Sequence, residues 1–303
     1  MKLAELSPQV VEALLRRGDL VLKTGPFSFR IRSPIDLVAE GLWQLYGEYE
    51  IADSGSFADF PVTIASGTGL RRWVRRQAHF QFDGRGVFEP LPADQAYPLL
   101  EWAMNWCVSS HAHQYLIIHA AVIERGGSAA ILPAPPGSGK STLCAALVHS
   151  GWRLLSDELA LISVTDGLIW PLCRPVSLKN ASIAVIADFA AASVFSRVTH
   201  DTAKGSIVHM RALPEHVAAM GRHANARWVI FPRWEAGAAI AMTPRPRAGA
   251  LVDLARNSFN FGILGHAGFR RLGQVIEASD CMDLRYSNLR SAVEAFDAMA
   301  AAT

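Results

Sequence analysis

The segment "PAPPGSGKST" places Gly137, Gly139, Lys140 and Ser141 within five residues of one another. Glycine admits positive φ at little steric cost, so two glycines at this spacing let successive backbone N–H groups turn toward one point. An ammonium group beside them reaches the β- and γ-phosphates of a nucleoside triphosphate, and the next hydroxyl can ligate magnesium. The pattern G-x-x-x-x-G-K-[ST] describes such a phosphate-binding loop. Residues 134–141 fit it except at the first position, where Ala134 replaces glycine. Alanine serves there if its dihedrals are ordinary, and Pro135 and Pro136 stiffen the turn by fixing φ. The binding set expected from this stretch is Pro136, Gly137, Ser138, Gly139, Lys140, Ser141 and Thr142. An ordinary glycine-rich turn is the plain alternative. It leaves unexplained why Gly-Ser-Gly-Lys-Ser-Thr stands between an apolar strand, "AAIL", and an apolar helix.

Phosphoryl transfer also calls for carboxylates beside the γ-phosphate. "WRLLSDELALI" supplies Asp157, 17 residues after Lys140, and its neighbour Glu158. Asp157 is expected to orient magnesium or to accept the proton of an acceptor hydroxyl. The expected metal-holding set is Ser141, Asp157 and Glu158. The strand ending at this pair is expected beside the loop. Adjacent strand residues point to opposite faces, so one carboxylate can act without the other. His119 interrupts "YLIIHAAVI" and, read alone, is a core or sheet-face histidine.

These groups need a scaffold. Residues 1–96 read as a small α+β module: an N-terminal amphipathic helix, a hairpin in "DLVLKTGPFSFRIRS", a helix in "PIDLVAEGLWQLYGEY" and further short strands. A helix from 97 to about 109 leads into a second domain, 97–303. There the pattern runs strand, Gly-Gly turn, strand, loop, helix, then a strand interrupted by the acidic pair. A helix follows residue 181, and "ADFAAASVF" is helical by propensity. An apolar strand, "ARWVIFPRW", comes next, and two helices, about 248–261 and 289–301, finish the chain.

The chain has 303 residues, 50% of them apolar, enough for a core-bearing domain and a smaller one. Its 29 basic and 27 acidic residues leave a net charge of +2, which gives no reason to expect nucleic acid as a partner. No apolar run reaches the roughly 18 residues of a membrane helix. The N-terminus lacks the pattern of a secretory signal. A cytoplasmic protein with no membrane partner is expected. The four cysteines lie far apart without a CxxC pair and read as small buried hydrophobes.

The order "IIHAAVI", "PAPPGSGKST", "GWRLLSDELALI" resembles the HPr kinase/phosphorylase superfamily, and within it the HPr kinase-related (type A) P-loop kinases found beside peptide-modification genes. The resemblance is best over residues 116–212. It implies an α/β fold, with a P-loop HPr kinase-like C-terminal domain and the α+β module before it. It implies that His119 lies near the catalytic centre, that Asp157 deprotonates the acceptor and that Glu158 is its acidic neighbour. "PLCRPVSLKN", "DTAKGSIVHM" and "CMDLRYSNLRSAVEAF" are also similar to the related group. Lys179 and Lys204 thereby join Asp157, His119 and Lys140 as candidate catalytic residues. Taken alone, Lys179 with Asn180 is as readily a capping pair, and Lys204, like Arg174, a solvated cation.

Three departures stand out. Ala134 replaces the first glycine, Glu158 stands where the phosphorylases have a second aspartate, and the glycine-rich signature of the bifunctional enzymes is not evident. The activity implied is ATP- and magnesium-dependent transfer of the γ-phosphate to a hydroxyl, that of serine in a peptide or small protein. Family members associated with lasso peptides phosphorylate a terminal serine. A small-molecule alcohol kinase and a nucleotide-gated peptide-binding module without kinase activity remain alternatives, and ATP is not distinguished from GTP. The superfamily enzymes are hexameric, so a homo-oligomer is expected.

Overall fold

The computed structural model describes residues 1–135 and 137–302. It is a mixed α/β architecture with several sheets, divided into two compact units. The first unit comprises 1–108, 177–180 and 193–218; the second comprises 109–176, 181–192 and the residues from 219 onward. Neither unit is contiguous in sequence.

In the first unit, helix Pro8–Arg17 starts at Ser7, whose Oγ accepts from Val10 N, and stops at Gly18 in the left-handed region. Leu20–Thr24 and Phe27–Arg32 form the hairpin, which is the middle of a seven-stranded sheet. The alternation in "FSFRIR" puts Phe27, Phe29 and Ile31 into the core, and helix Asp36–Leu45 adds Val38, Leu42 and Leu45. After that helix, Ile51–Ala52 pairs with the outer edge of Leu20–Thr24, and Phe60–Ser66 then pairs parallel to Phe27–Arg32. A separate three-stranded sheet runs Val176–Lys179, Gly205–Met210, Thr199–Thr202; its first residue, Val176, falls in the second unit.

The second unit is built on an eight-stranded mixed sheet. Its spine is Tyr115–Arg125, an eleven-residue strand whose near-continuous apolar run reflects burial on both faces. One edge pairs antiparallel with Ser128–Pro133 through the Gly126-Gly127 turn. Beyond it lie Asn225–Trp234 and Asp280–Tyr286, both parallel, and then Ala241–Pro244. One core cluster joins Leu116, Ile118, Ala120 and Val122 of the spine to Ala250, Leu254 and Leu272 of later helices. All four cysteines are buried, and none is joined in a disulfide.

The structure departs from the sequence-based expectations in three places. Arg153–Ser156 pairs with the far edge of Tyr115–Arg125, so the histidine strand lies between it and the loop strand. The Gly-Gly hairpin occupies the near edge, and the long spine offers its other edge to Arg153–Ser156 and Leu159–Ser163 in succession. The alanine-rich stretch is helical only to Phe189, the end of helix Ala181–Phe189. Residues 190–192 turn, and Phe195 forms a bridge to Met210, a tertiary pairing that overrides alanine's propensity. The chain's end carries three helices rather than two: Arg247–Arg256, Phe261–Ala278 and Leu289–Ala301. The middle one contains Gly262, Gly265, Gly268 and Gly273, which hide it from a propensity reading, and Gly265 leaves helical dihedrals altogether (φ 52°, ψ −125°). It forms because Leu272, Val275 and Ile276 are buried against the sheet.

Candidate functional site

Strand Ser128–Pro133 delivers the chain into the glycine turn, and helix Lys140–Val148 leaves it. Gly137 (φ 85°) and Gly139 (φ 86°) both occupy the left-handed region, whereas Ala134 does not take a positive φ. Alanine therefore meets no backbone penalty at the first motif position. Pro136 lies outside the described residues. The loop's carbonyls are committed to protein donors: Trp234 N donates to Ser138 O (3.0 Å), Leu143 N to Gly139 O (2.9 Å), and the Tyr286 hydroxyl also to Gly139 O (3.2 Å). Burial pushes the Tyr286 phenol well above its ordinary pKa, so it stays a donor throughout the neutral range. Ser138 Oγ is buried and, among the described residues, has no hydrogen-bond partner.

Lys140 is 8% exposed, and its Nζ lies 3.2 Å from His119 Nε2. The other ring nitrogen, Nδ1, lies 3.2 Å from the Glu158 carbonyl and 3.7 Å from the Glu158 carboxylate. A carbonyl only accepts, so Nδ1 carries the ring proton in this arrangement and Nε2 accepts from the lysine. Glu158 O also accepts from Ala120 N (3.2 Å), which locks the acidic bend to the spine strand. The 257–260 segment supports the same strand from beyond: His119 N donates to Asn257 O (2.7 Å), and Phe259 sets its ring nearly perpendicular to the imidazole, 6.0 Å away.

Asp157 sits in the bend between Arg153–Ser156 and Leu159–Ser163 and is 4% exposed. Ser156 Oγ accepts from Leu159 N and closes the bend (3.0 Å). Asp157 and Lys140 share the neighbourhood of Cys144: burial pushes its thiol well up, Asp157 adds to the shift and Lys140 opposes it. The structure thus gathers Lys140, His119, Asp157 and Glu158 around the start of one helix. Ser141 and Thr142 are part-buried on its first turn. Among the described residues, no group of three or more His, Cys, Asp or Glu is placed to hold a metal ion.

A groove of about 610 Å³ borders the loop; Ala134, Gly137, Ser138, Trp234, Arg245 and Asn257 are among its lining residues. Arg245 lies 3.9 Å over the Phe231 ring and is paired with Asp253 and Asp283. Its described lining does not include Lys140 or Asp157, so groove and charge cluster meet at the loop rather than coincide.

Lys179 and Lys204 belong to the first unit. Lys179 ends strand Val176–Lys179. Lys204 stands exposed in the turn before Gly205, its Nζ 5.5 Å from the Trp102 ring centroid, and Asn180 Nδ2 donates to its carbonyl (3.3 Å). Arg174, in the second unit, is buried.

Sequence reasoning missed Tyr286 and Trp234, which hold the loop from strands more than 90 residues away. Trp234 closes an apolar strand and Tyr286 sits in a strand that alternates only weakly, so neither carries a local signal. Their role predicts a difference between two glycines. A Cβ at Gly139 would meet the Tyr286 hydroxyl at 2.7 Å and Trp234 Cβ at 3.0 Å, whereas one at Gly137 meets nothing within 4 Å. Gly137→Ala carries only backbone strain, roughly 1–2 kcal/mol. Gly139→Ala adds a collision with the Tyr286 hydroxyl and Trp234 Cβ and is expected to lose about 2–4 kcal/mol in urea unfolding. Equal losses would mean that the Tyr286 contact constrains nothing.

A family model described as "ScmC: SynChlorMet cassette protein ScmC" matches residues 96–168. Over this stretch, which contains His119, the glycine turn and the Asp157–Glu158 bend, the chain is similar to that family. No curated protein matches the chain.

Proposed function

We propose that the chain is an HPr kinase-like phosphotransferase of the P-loop type, which moves the γ-phosphate of ATP to the hydroxyl of a serine in a peptide or small protein. One observation carries the reading. Lys140 is held at a turn with two left-handed glycines, and its ammonium is aimed by His119, which is itself fixed by the acidic bend. A structural lysine has no need of such an arrangement at a helix start. The residues present suit a polyphosphate: the first N–H groups of a helix have no intrahelical partner, the helix end is electropositive, and Ser138 Oγ is an orphaned buried hydroxyl in the same turn.

In this reading Gly137 to Thr142 cradle the phosphates. Ser141, Asp157 and Glu158 are the residues that would hold magnesium. When bound, the metal–nucleotide supplies the transferable group and neutralises its charge. His119 keeps the Lys140 head in place, and Lys140 meets the phosphate oxygens. Asp157 receives the proton of the acceptor hydroxyl. Lys140 and Asp157 are buried, which keeps water from them and strengthens their interactions. The stretch similar to the cassette-protein family contains the whole loop and bend, which supports reading them as one functional element.

The test is transfer from [γ-³²P]ATP to serine peptides and to an alcohol library, with phosphate release followed in parallel. Labelled peptide serine supports the proposal, and a labelled alcohol moves the reading to a metabolite kinase. ATP binding with neither product leaves the nucleotide-gated binding module as the function.

A further inference from the structure

The connection from strand Phe60–Ser66 to strand Gln77–Phe82 leaves the first unit as a protruding tip. Gly67 N donates to Gln77 O (2.8 Å) and closes its base, and every residue from 68 to 76 is exposed. Its sequence is "TGLRRWVRR". Trp73 N and Val74 N both bond back to Leu70 O, so the tip winds through about one helical turn. Leu70, Trp73 and Val74 therefore stand at i, i+3 and i+4, on one side, with Arg71, Arg72 and Arg75 interleaved and Arg76 at the base, where it borders a groove also lined by Asp36 and Asp94. Relative exposures are 73% for Leu70, 80% for Trp73 and 53% for Val74. Residues 60–82 hold these four arginines and no Asp or Glu, in a chain otherwise near charge balance. Among the described residues, none of the four guanidinium groups makes an ion pair or a side-chain hydrogen bond.

We propose that this tip is a docking element for an anionic lipid surface. Three large apolar side chains held in water beside four cations need a partner that takes both. Every residue of the tip is exposed, so a peptide laid against one side leaves the others in water, whereas a lipid interface deforms around it and receives all sides. Tryptophan and leucine enter the headgroup boundary while arginines around them meet phosphates and anionic headgroups. Nucleic acid would satisfy the arginines and stack on Trp73 but offers little to Leu70 and Val74. No helix among the described residues is long and apolar enough to cross a membrane, so the contact is with the surface. It is independent of the kinase reading, and it runs against the sequence-based expectation of no membrane partner.

The experiment is co-sedimentation of the full chain with vesicles of phosphatidylcholine alone or with one-fifth phosphatidylserine, at low salt and at about 0.5 M. Binding to the anionic vesicles only, weakened by salt, is expected. Replacing all four arginines by serine should weaken partition by roughly a hundredfold or more. L70S/W73S/V74S keeps the charge and should still weaken it at least tenfold. Both variants alter a surface tip, and melting curves matching wild type would show the fold intact. Undiminished binding by the apolar variant would overturn lipid insertion. Absence of vesicle binding, or tighter binding to an acidic peptide or single-stranded RNA, would overturn the proposal outright.

Discussion

Lys140→Ala is expected to abolish measurable Mg-ATP binding by calorimetry and to cut phosphoryl transfer by roughly 10²–10³-fold, the scale for removing one preorganised donor to developing charge. Alanine is the best helix former, so the helix start should survive the change. What disappears is the buried ammonium 3.2 Å from His119 Nε2. Lys140→Arg should rescue little, because the planar fork cannot sit where a compact head is held by one ring nitrogen. Equal affinity of wild type and Lys140→Ala for Mg-ATP would remove the nucleotide from the functional reading.

Asp157→Asn should separate binding from transfer. Asparagine keeps the size and much of the hydrogen bonding of a side chain that is 4% exposed, but it cannot take a proton. Because Ser141 and Glu158 would still hold the metal and asparagine keeps an oxygen ligand, nucleotide affinity should change little, while transfer to a serine hydroxyl falls roughly 10²–10⁴-fold, the range of a general acid–base contribution. Because phosphoryl transfer has a loose transition state, positioning carries much of the barrier and the lower half of that range is the better expectation. The readout is single-turnover transfer measured beside ATP affinity on the same preparation. A parallel loss of both would make Asp157 a metal ligand only; no loss in either would favour the binding-module reading.

Much of the scaffold was legible because it is written in short-range patterns. The hairpin around Gly25, the helix capped by Ser7 and Gly18, and the strand–turn–helix at Gly137–Lys140 each depend on residues within a few positions of one another. The acidic bend was legible too, since Asp157 and Glu158 interrupt an otherwise apolar run. Helix Phe261–Ala278 was not, because its four glycines contradict what its burial against the sheet decides.

By itself the sequence determined which residues could do chemistry and the local backbone that presents them: positive φ is available where glycine stands, and apolar period selects strand or helix. Only the tertiary structure decided which edges pair. That choice put His119 on the strand between loop and acidic bend, within reach of both Lys140 and Glu158. It also brought Trp234 and Tyr286 onto the loop's carbonyls, and it assigned Lys179 and Lys204 to a different compact unit from Lys140. The apolar run of a strand buried on both faces reads the same whichever neighbour it takes, so strand order rests on how the whole sheet closes over its core, which no local window contains.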